Sequence, residues 1–314
     1  INVASMEKVG GNMDLYYQGV KLDVVVVDYK IDDNMGGKCD SVSVIFSDIK
    51  HECRTWDFKK NDIIEMIEYP FSSGKMFVDG YSCSNGYYSI KALSIKKKFK
   101  TKKSKVWENV RFLDLAKDLL KDCELDLETY GLNDYLYTRV DQLEENNIEF
   151  LNYRCKLEGY NLKITDGKAV IVSEEFLEKQ DTVLTVTPAD FKDKYEFECT
   201  SNKVFGGCEI SSFSKEFIKG SYIYDNTLEV LKVNDIVVYN IEEANRFSKN
   251  ILRSYNKKET TGYFYIEKNN NIAAGNNIKI QDLALFSGKY IIENLYSASS
   301  GKTKLKVRKV LEGY

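Results

Sequence analysis

The chain has 314 residues, 45 Lys and Arg against 48 Asp and Glu, a net charge of -3 and a single histidine. A chain of this length exceeds what one hydrophobic core usually serves, so two or three domains are expected. The near-neutral balance argues against a dedicated basic nucleic-acid binder. One histidine excludes a His-rich metal site and leaves only His51 for a Ser-His or Cys-His pair.

Apolar residues make up 43% and charged residues 30%, the balance of a folded chain and not of a disordered one. The longest apolar run, Val24 to Val27, is far short of the roughly 18–20 residues that cross a bilayer, so no membrane anchoring is expected. Glu7 and Lys8 interrupt the first ten residues, which lack the apolar stretch of a signal peptide. The cysteines at 39, 53, 83, 123, 155, 199 and 208 are irregularly spaced, without a CxxC pair, and read as reduced thiols.

The first ninety-odd residues read as strands. Lys21 to Tyr29 is β-branched, and Asp32 to Asp40 is a loop broken at Gly36-Gly37. Ser41 to Phe46 alternates with period two, which puts Val42, Val44 and Phe46 on one face. Ile63 to Tyr69 ends at Pro70. Met76 to Val78 and Tyr87 to Ile95 follow, with Asn85-Gly86 as a hairpin turn. Short strands at this spacing predict a sandwich or barrel. Lys96, Lys97, Lys98, Lys100, Lys102, Lys103 and Lys105 then form a basic run, read as a solvated connector or as a contact for an acidic partner or passing DNA.

The period then changes. Phe112, Leu115, Ala116, Leu119, Leu120 and Cys123 recur at helical spacing, with Asn109 as the expected N-cap. A second helix is predicted over about 147–158, capped by Asn146 and Glu149 and closed by Gly159. Asp166-Gly167 between two alternating runs predicts a hairpin. Strands return after Glu178: Val183 to Thr187, Lys194 to Thr200 and Cys208 to Phe213, with Tyr222 to Tyr224 and Ile236 to Val238 weaker. One helix over about 241–255 interrupts them, capped by Asn240 and Glu243, with Ile241, Ala244, Ser248, Ile251 and Tyr255 on one face. Gly262 to Glu267, Asn277 to Ile280, Lys289 to Ser297 and Thr303 to Val310 complete a second β domain. The reading is an α+β, mainly β chain. It divides into a first β domain (1–95), a basic linker (96–105), a helix-helix-hairpin module (106–178) and a second β domain (179–314).

No catalytic or cofactor pattern emerges. Adjacent acids such as Glu144 and Glu145 do not face one another on a helix or strand. His51-Glu52-Cys53 supplies too few ligands for a metal site. Gly36-Gly37-Lys38 lacks the upstream glycine and the following Ser or Thr of a P-loop. No cofactor, metal or small-molecule substrate is expected. The 22 tyrosines fit sheet and interface positions.

Four stretches carry a family resemblance. The first is Gly36-Gly37, then Asp40 to Asp48, Trp56 and the strand Asn61 to Glu68. The second is Asp79-Gly80 to Ile95. The third begins at Trp107 to Val110 and Leu113-Asp114-Leu115-Ala116; it continues through Asp141-Gln142, Asn146, Phe150-Leu151, Leu157, Gly159 and Asp166-Gly167. The fourth is Glu243-Ala244 to Leu252 with Ala274-Gly275 and Gly288 to Tyr290. In these residues and in the order of its modules, the chain resembles the late control gene D family of phage tail proteins, the baseplate hub of contractile tails. Arg111 departs from the family, which often has Thr at the start of the first helix. No lysozyme-like insert or repeated β-helix spike follows, so the spike would be a separate polypeptide.

The resemblance implies two tube-like β-barrels per chain in a homotrimer, a ring that adapts a threefold spike to a sixfold tail tube and nucleates the tube. The implied partners are the central spike, tail tube, tape measure and baseplate wedge proteins, with DNA at most passing through the channel. Assembly would take place in the bacterial cytoplasm, before incorporation into a phage virion or a released R-type tail bacteriocin (tailocin). Two other readings stand beside it: a receptor- or glycan-binding tail module, and a cell-wall hydrolase component.

Overall fold

The computed structural model describes residues 13–47 and 57–314; Trp56, His51 and Cys53 lie outside them. The first β unit contains β1 (Asp14–Tyr17), β2 (Val20–Lys21), β3 (Val25–Asn34), β4 (Ser41–Ser47), β5 (Ile63–Glu68), β6 (Phe71–Ser72), β7 (Met76–Ser84) and β8 (Tyr87–Leu93). In β4 the alternation is as expected: Val42, Val44 and Phe46 are buried and the residues between them are half-buried. These side chains meet Ile64, Met66, Ile90 and Ala92 in a core of their own.

A short 3-10 turn at Lys97–Lys100 leads into β9 (Lys102–Arg111), α1 (Phe112–Lys121), β10 (Asp126–Tyr130), β11 (Leu136–Asn146), α2 (Asn147–Leu157), β12 (Tyr160–Thr165), β13 (Lys168–Ser173) and α3 (Glu174–Lys179). The β12–β13 hairpin forms over the expected residues, with Asp166 and Gly167 both at positive φ, the backbone its two-residue turn requires. Asn146 caps α2 through a hydrogen bond of 2.9 Å from the Glu149 N–H to its Oδ1.

Two expectations fail here. The lysine run is not a connector throughout, because Lys102 to Lys105 begin a strand that pairs antiparallel with β11. Nor does Asn109 cap α1: it lies inside β9, and the helix starts after Arg111. The cap comes from a distant loop, where Asp134 Oδ1 accepts from the Leu113 N–H at 2.9 Å. The sequence pattern cannot show a cap that approaches through the tertiary fold.

The rest comprises β14 (Thr182–Val186), β15 (Glu196–Cys199), β16 (Gly207–Phe213), β17 (Phe217–Ile223), β18 (Val230–Val233), α4 (Ile241–Asn256), β19 (Thr260–Glu267), β20 (Asn277–Ile280), β21 (Gly288–Ala298) and β22 (Lys302–Lys309). The weak Ile236 to Val238 strand is absent from these, and the third strand of its sheet is β18. Ile210, Ile218, Val238, Ala244 and Phe247 join the core of the middle helices, while Phe264, Ile278, Tyr290, Ile292 and Leu305 form a separate one. Helix α4 is capped by Asn240 as expected, but its buried face runs through Ala244, Phe247, Ser248 and Leu252. Ile241 and Tyr255, expected on that face, are exposed. The buried stripe is turned because α4 packs between β16–β17 and α2 and does not lie on the second β core.

The fold is α+β and mainly β, in several sheets. The largest follows the order β15-β19-β22-β21-β3-β4-β8-β7-β5-β1-β2, with β20 and β14 branching from β21 and β6 from β5. The smaller ones are β10-β13-β12, the β9–β11 ribbon and β17-β16-β18. Among the described residues no sheet closes into a barrel. The reason lies at β3 and β21, whose free edges pair with each other, from Asn294 opposite Asn34 to Ala298 opposite Lys30. On that edge β21 pairs with β20 of its own unit only over Gly288 to Ile291 and with β3 from Asn294 onward, so the two β units share one sheet.

Candidate functional site

The residues of the family pattern occupy packing and turn positions. Trp107 on β9 stacks on Phe150 of α2 with ring centroids 6.0 Å apart, and its Nε1 donates to Asp118 Oδ2 at 2.8 Å. Leu151 is buried beside Phe150. Gln142 is buried where the β9–β11 register shifts, donating to the Glu145 carbonyl at 2.9 Å and to Asn147 Oδ1 at 3.1 Å. Asp114 sits exposed in the first turn of α1, where a carboxylate favours the helix dipole. Asp166 reaches the first β unit, its Oδ1 accepting from the Lys75 N–H at 3.1 Å, with Gly167 completing that turn. A Cβ on Gly159 would stand 2.6 Å from Asn250 Oδ1, so α4 packs directly against the end of α2. Ala244 is fully buried on α4. Gly80 sits at the β7–β8 register shift, Gly275 against Met35, and Gly288 opens β21. These residues do not converge on one pocket.

Charge gathers instead at the joints between modules. At the β3–β21 joint Lys163 of β12 pairs with Asp33 and stands 3.8 Å from Asp40 Oδ2. Asp33 Oδ2 also accepts from the Ala274 N–H at 2.8 Å, and Asp32 Oδ1 from Asn294 Nδ2 at 2.5 Å. On the other side Lys268 joins Glu68 and the Tyr29 hydroxyl. A cleft of about 550 Å3 opens beside the joint, lined by all three modules.

Burial pushes the Asp40 carboxyl up to about 7, and Asp33 and Asp32 push the same way against the pull of Lys163 and the Asn34 N–H. An Asp whose folded pKa exceeds its unfolded value of about 3.9 makes the fold lose stability as pH rises from about 4 to 7. Asp40→Asn removes that slope while keeping the Oδ1 that accepts from the Asn34 N–H at 2.8 Å. The variant is expected to match wild type near pH 4 and to be more stable by roughly 2 kcal/mol at pH 8. Urea melts at both pH values check this; equal stability at pH 8 would refute it.

A second charged joint holds α3, α4 and β22 together. Glu178 pairs with Arg253 of α4 and, at 2.9 Å, with Arg308 of β22. Glu174 pairs with Lys257. Burial alone would raise the Glu174 carboxyl, but Lys257, Arg308 and Arg253 outweigh it and hold it at about 2. About two turns back along α4, Arg246 Nε donates to Glu158, which also accepts from Tyr137 Oη, both at 2.6 Å. Arg154 lies between the rings of Tyr137 and Phe247, at 4.5 and 5.3 Å, with Glu243 3.6 Å from its Nη2. Local motifs mark only Glu243 among these residues, as part of the α4 cap. The available signals were Arg246 and Arg253 spaced seven apart on α4 and Glu174 and Glu178 spaced four apart.

The lysine run meets acids from α1 and the turn after it. Lys105 pairs with Asp118, Lys103 with Asp122 at 2.6 Å and Lys96 with Glu124 at 3.0 Å. The side chains of Lys97, Lys100 and Lys102 are exposed. Exposed apolar groups gather elsewhere. Phe213 and Phe217 face each other at the β16–β17 hairpin tip, 77% and 63% exposed, and Leu143 stands out from the β11 bulge. Among the described residues no cluster of three His, Cys, Asp or Glu side chains could hold a metal, and no helix is long and apolar enough to cross a membrane.

No protein-family model matches the sequence, and no curated protein matches it. Solved structures do. A tail protein of Neisseria meningitidis superposes with a TM-score of 0.75 at 13% identity, over 95% of this chain and 96% of that one. The 43 kDa tail protein of prophage MuSo2 from Shewanella oneidensis gives 0.74 at 11% identity, over 94% and 97%. The fold is that of phage tail proteins. An E. coli type VI secretion component, described as structurally similar to the T4 tail proteins gp27 and gp5, gives 0.61 at 10% identity over 96% of this chain and 78% of its own. The tail-protein fold thus spans nearly the whole chain, in the direction of the sequence resemblance.

Proposed function

We propose that this chain is a non-enzymatic structural component of a phage-type tail, the hub of its baseplate. Three copies form a ring that joins a threefold spike to a sixfold tube and starts tube assembly. The observation that carries this reading is the β3–β21 joint, which sets two β units side by side in one sheet within a single chain. Three such chains would present six β units around one axis. In this reading residues 1–95 and 179–314 supply the tube-like units, and 96–178 is the intervening linker and module. The spike, tube, tape measure and wedge proteins are the partners, with the exposed lysines of the 96–105 run as one contact. Assembly precedes incorporation into the virion or released tail particle.

A ring of this kind is heterologous and closes by rotation, which covers strand edges that would otherwise invite aggregation. Sedimentation of the full chain is expected to give three times the 36.2 kDa chain mass, and particle images a ring with a central channel. A stable monomer that binds glycans tightly would overturn this reading in favour of a receptor-binding module.

A further inference from the structure

We propose that a second cleft, on the face of the molecule where the three modules meet, binds an acidic peptide segment. The cleft is about 610 Å3, within the range of built ligand sites, and is bounded by the Met35–Lys38 turn, α2, the end of α4 and the β21–β22 hairpin. Most charges on its floor are paired, Glu174 with Lys257, Glu293 with Lys258 and Arg308 with Glu178, and the remaining carboxylate, Asp32, accepts from Asn294 Nδ2 at 2.5 Å. Those on its rim are not paired. Lys38, Lys156 and Lys306 come from three different modules, are exposed, and make no ion pair with a described residue. The chain as a whole is anionic, so three unpaired cations around one concavity set this surface apart.

The turn that carries Lys38 is held firmly. Gly36 has φ +105, and a Cβ there would stand 3.1 Å from the Leu162 carbonyl oxygen, so the loop lies flat on β12. The Gly36-Gly37-Lys38 sequence, which fails as a P-loop, here places an amine over the cleft. Two amides on the wall, Asn152 and Asn161, make no side-chain hydrogen bond with a described residue. An amide offers both a donor and an acceptor, whereas a phosphate ligand can use only donors. The free cations are all lysines, and bidentate capture of phosphate favours arginine. Amines for carboxylates beside amides for peptide groups match an acidic peptide better than a phosphate. This inference is independent of the ring.

The test is fluorescence anisotropy of labelled hexaglutamate with the full chain at 150 mM salt. Wild type is expected to bind saturably. The triple variant Lys38→Ala, Lys156→Ala, Lys306→Ala is expected to bind about tenfold more weakly or worse, as three partly screened charge contacts are lost. A control with the same charge change elsewhere, Lys194→Ala, Lys215→Ala, Lys279→Ala, should change binding less than about twofold. Arginine at the three cleft positions should keep binding, which separates loss of charge from loss of fold. Absence of binding by wild type, or equal weakening in the cleft and control variants, overturns the proposal. So does displacement of the probe by tripolyphosphate at lower concentration than by unlabelled hexaglutamate, which would make the site one for phosphate-type anions.

Discussion

Glu178→Ala is expected to destabilise the chain by about 3–5 kcal/mol. The carboxylate is buried and holds two guanidiniums, Arg253 of α4 and Arg308 of β22, both themselves buried. Removing it leaves two cations in a region water does not reach, and an unpaired buried charge costs more than the pair ever contributed. The backbone on the same side is also engaged, since Lys289 Nζ donates to the Glu178 carbonyl at 2.8 Å. Glu178→Gln keeps the shape but only one acceptor oxygen, so one arginine keeps a partner and the other faces an amide donor; its loss should be smaller but of the same sign. Urea or thermal melts of both variants read the effect. Because the joint ties α3, α4 and β22, the second β unit should also separate earlier in the transition, seen as earlier proteolysis within 260–309. A loss under about 1 kcal/mol for Glu178→Ala would show that the cluster is solvated and the joint is held by packing alone.

Gly220→Ala tests how closely α4 lies on its sheet. Strand propensity favours alanine over glycine, so an ordinary strand position would gain from this change. At Gly220 a Cβ would stand 2.4 Å from Ala244 Cβ and 2.8 Å from both the Ala244 carbonyl carbon and the Asn245 nitrogen. Two of those three atoms are backbone and cannot rotate away. The helix must lift from β17, which strains the 2.8 Å hydrogen bond from the Ser221 N–H to Asn245 Oδ1. An overpacking loss of about 1–3 kcal/mol is expected. Adding Ala244→Gly removes the Cβ–Cβ clash but not the backbone contacts, so the double variant should recover only part of the loss. Gly80→Ala, where a Cβ meets nothing within 4 Å, should change stability by less than about 0.5 kcal/mol. Chemical denaturation of the three variants decides the matter. A neutral Gly220→Ala would mean that the helix moves freely on the sheet.

The local pattern determined much of this protein. Alternation in Ser41 to Phe46, the helical stripe from Phe112 to Leu120, the Asn146 and Asn240 caps and the Asp166-Gly167 turn all appear where the residues imply them. Each depends on neighbours within a few positions, and such signals survive in a single sequence. The strand β9 was not legible, because its lysines are exposed and gain their place only from β11 and the acids of α1. Helix α3 escaped notice since Glu174 and Glu178 look like solvated acids until Arg253, Lys257 and Arg308 arrive from seventy or more residues away.

Net charge and composition acquire their meaning at that level. A near-zero net charge and one histidine spoke only of what the chain lacks. The tertiary structure shows how the charge is distributed: opposite signs are buried in pairs at the joints, and three unpaired lysines from different modules meet around one cleft. Composition sums charges without regard to position, while the energy of an ion pair depends on distance and burial. The sequence alone determined the two β-rich regions and the helices between them. Only the fold decided that the two regions would share one sheet through β3 and β21, because a strand edge records in its own residues nothing of which distant edge it will meet.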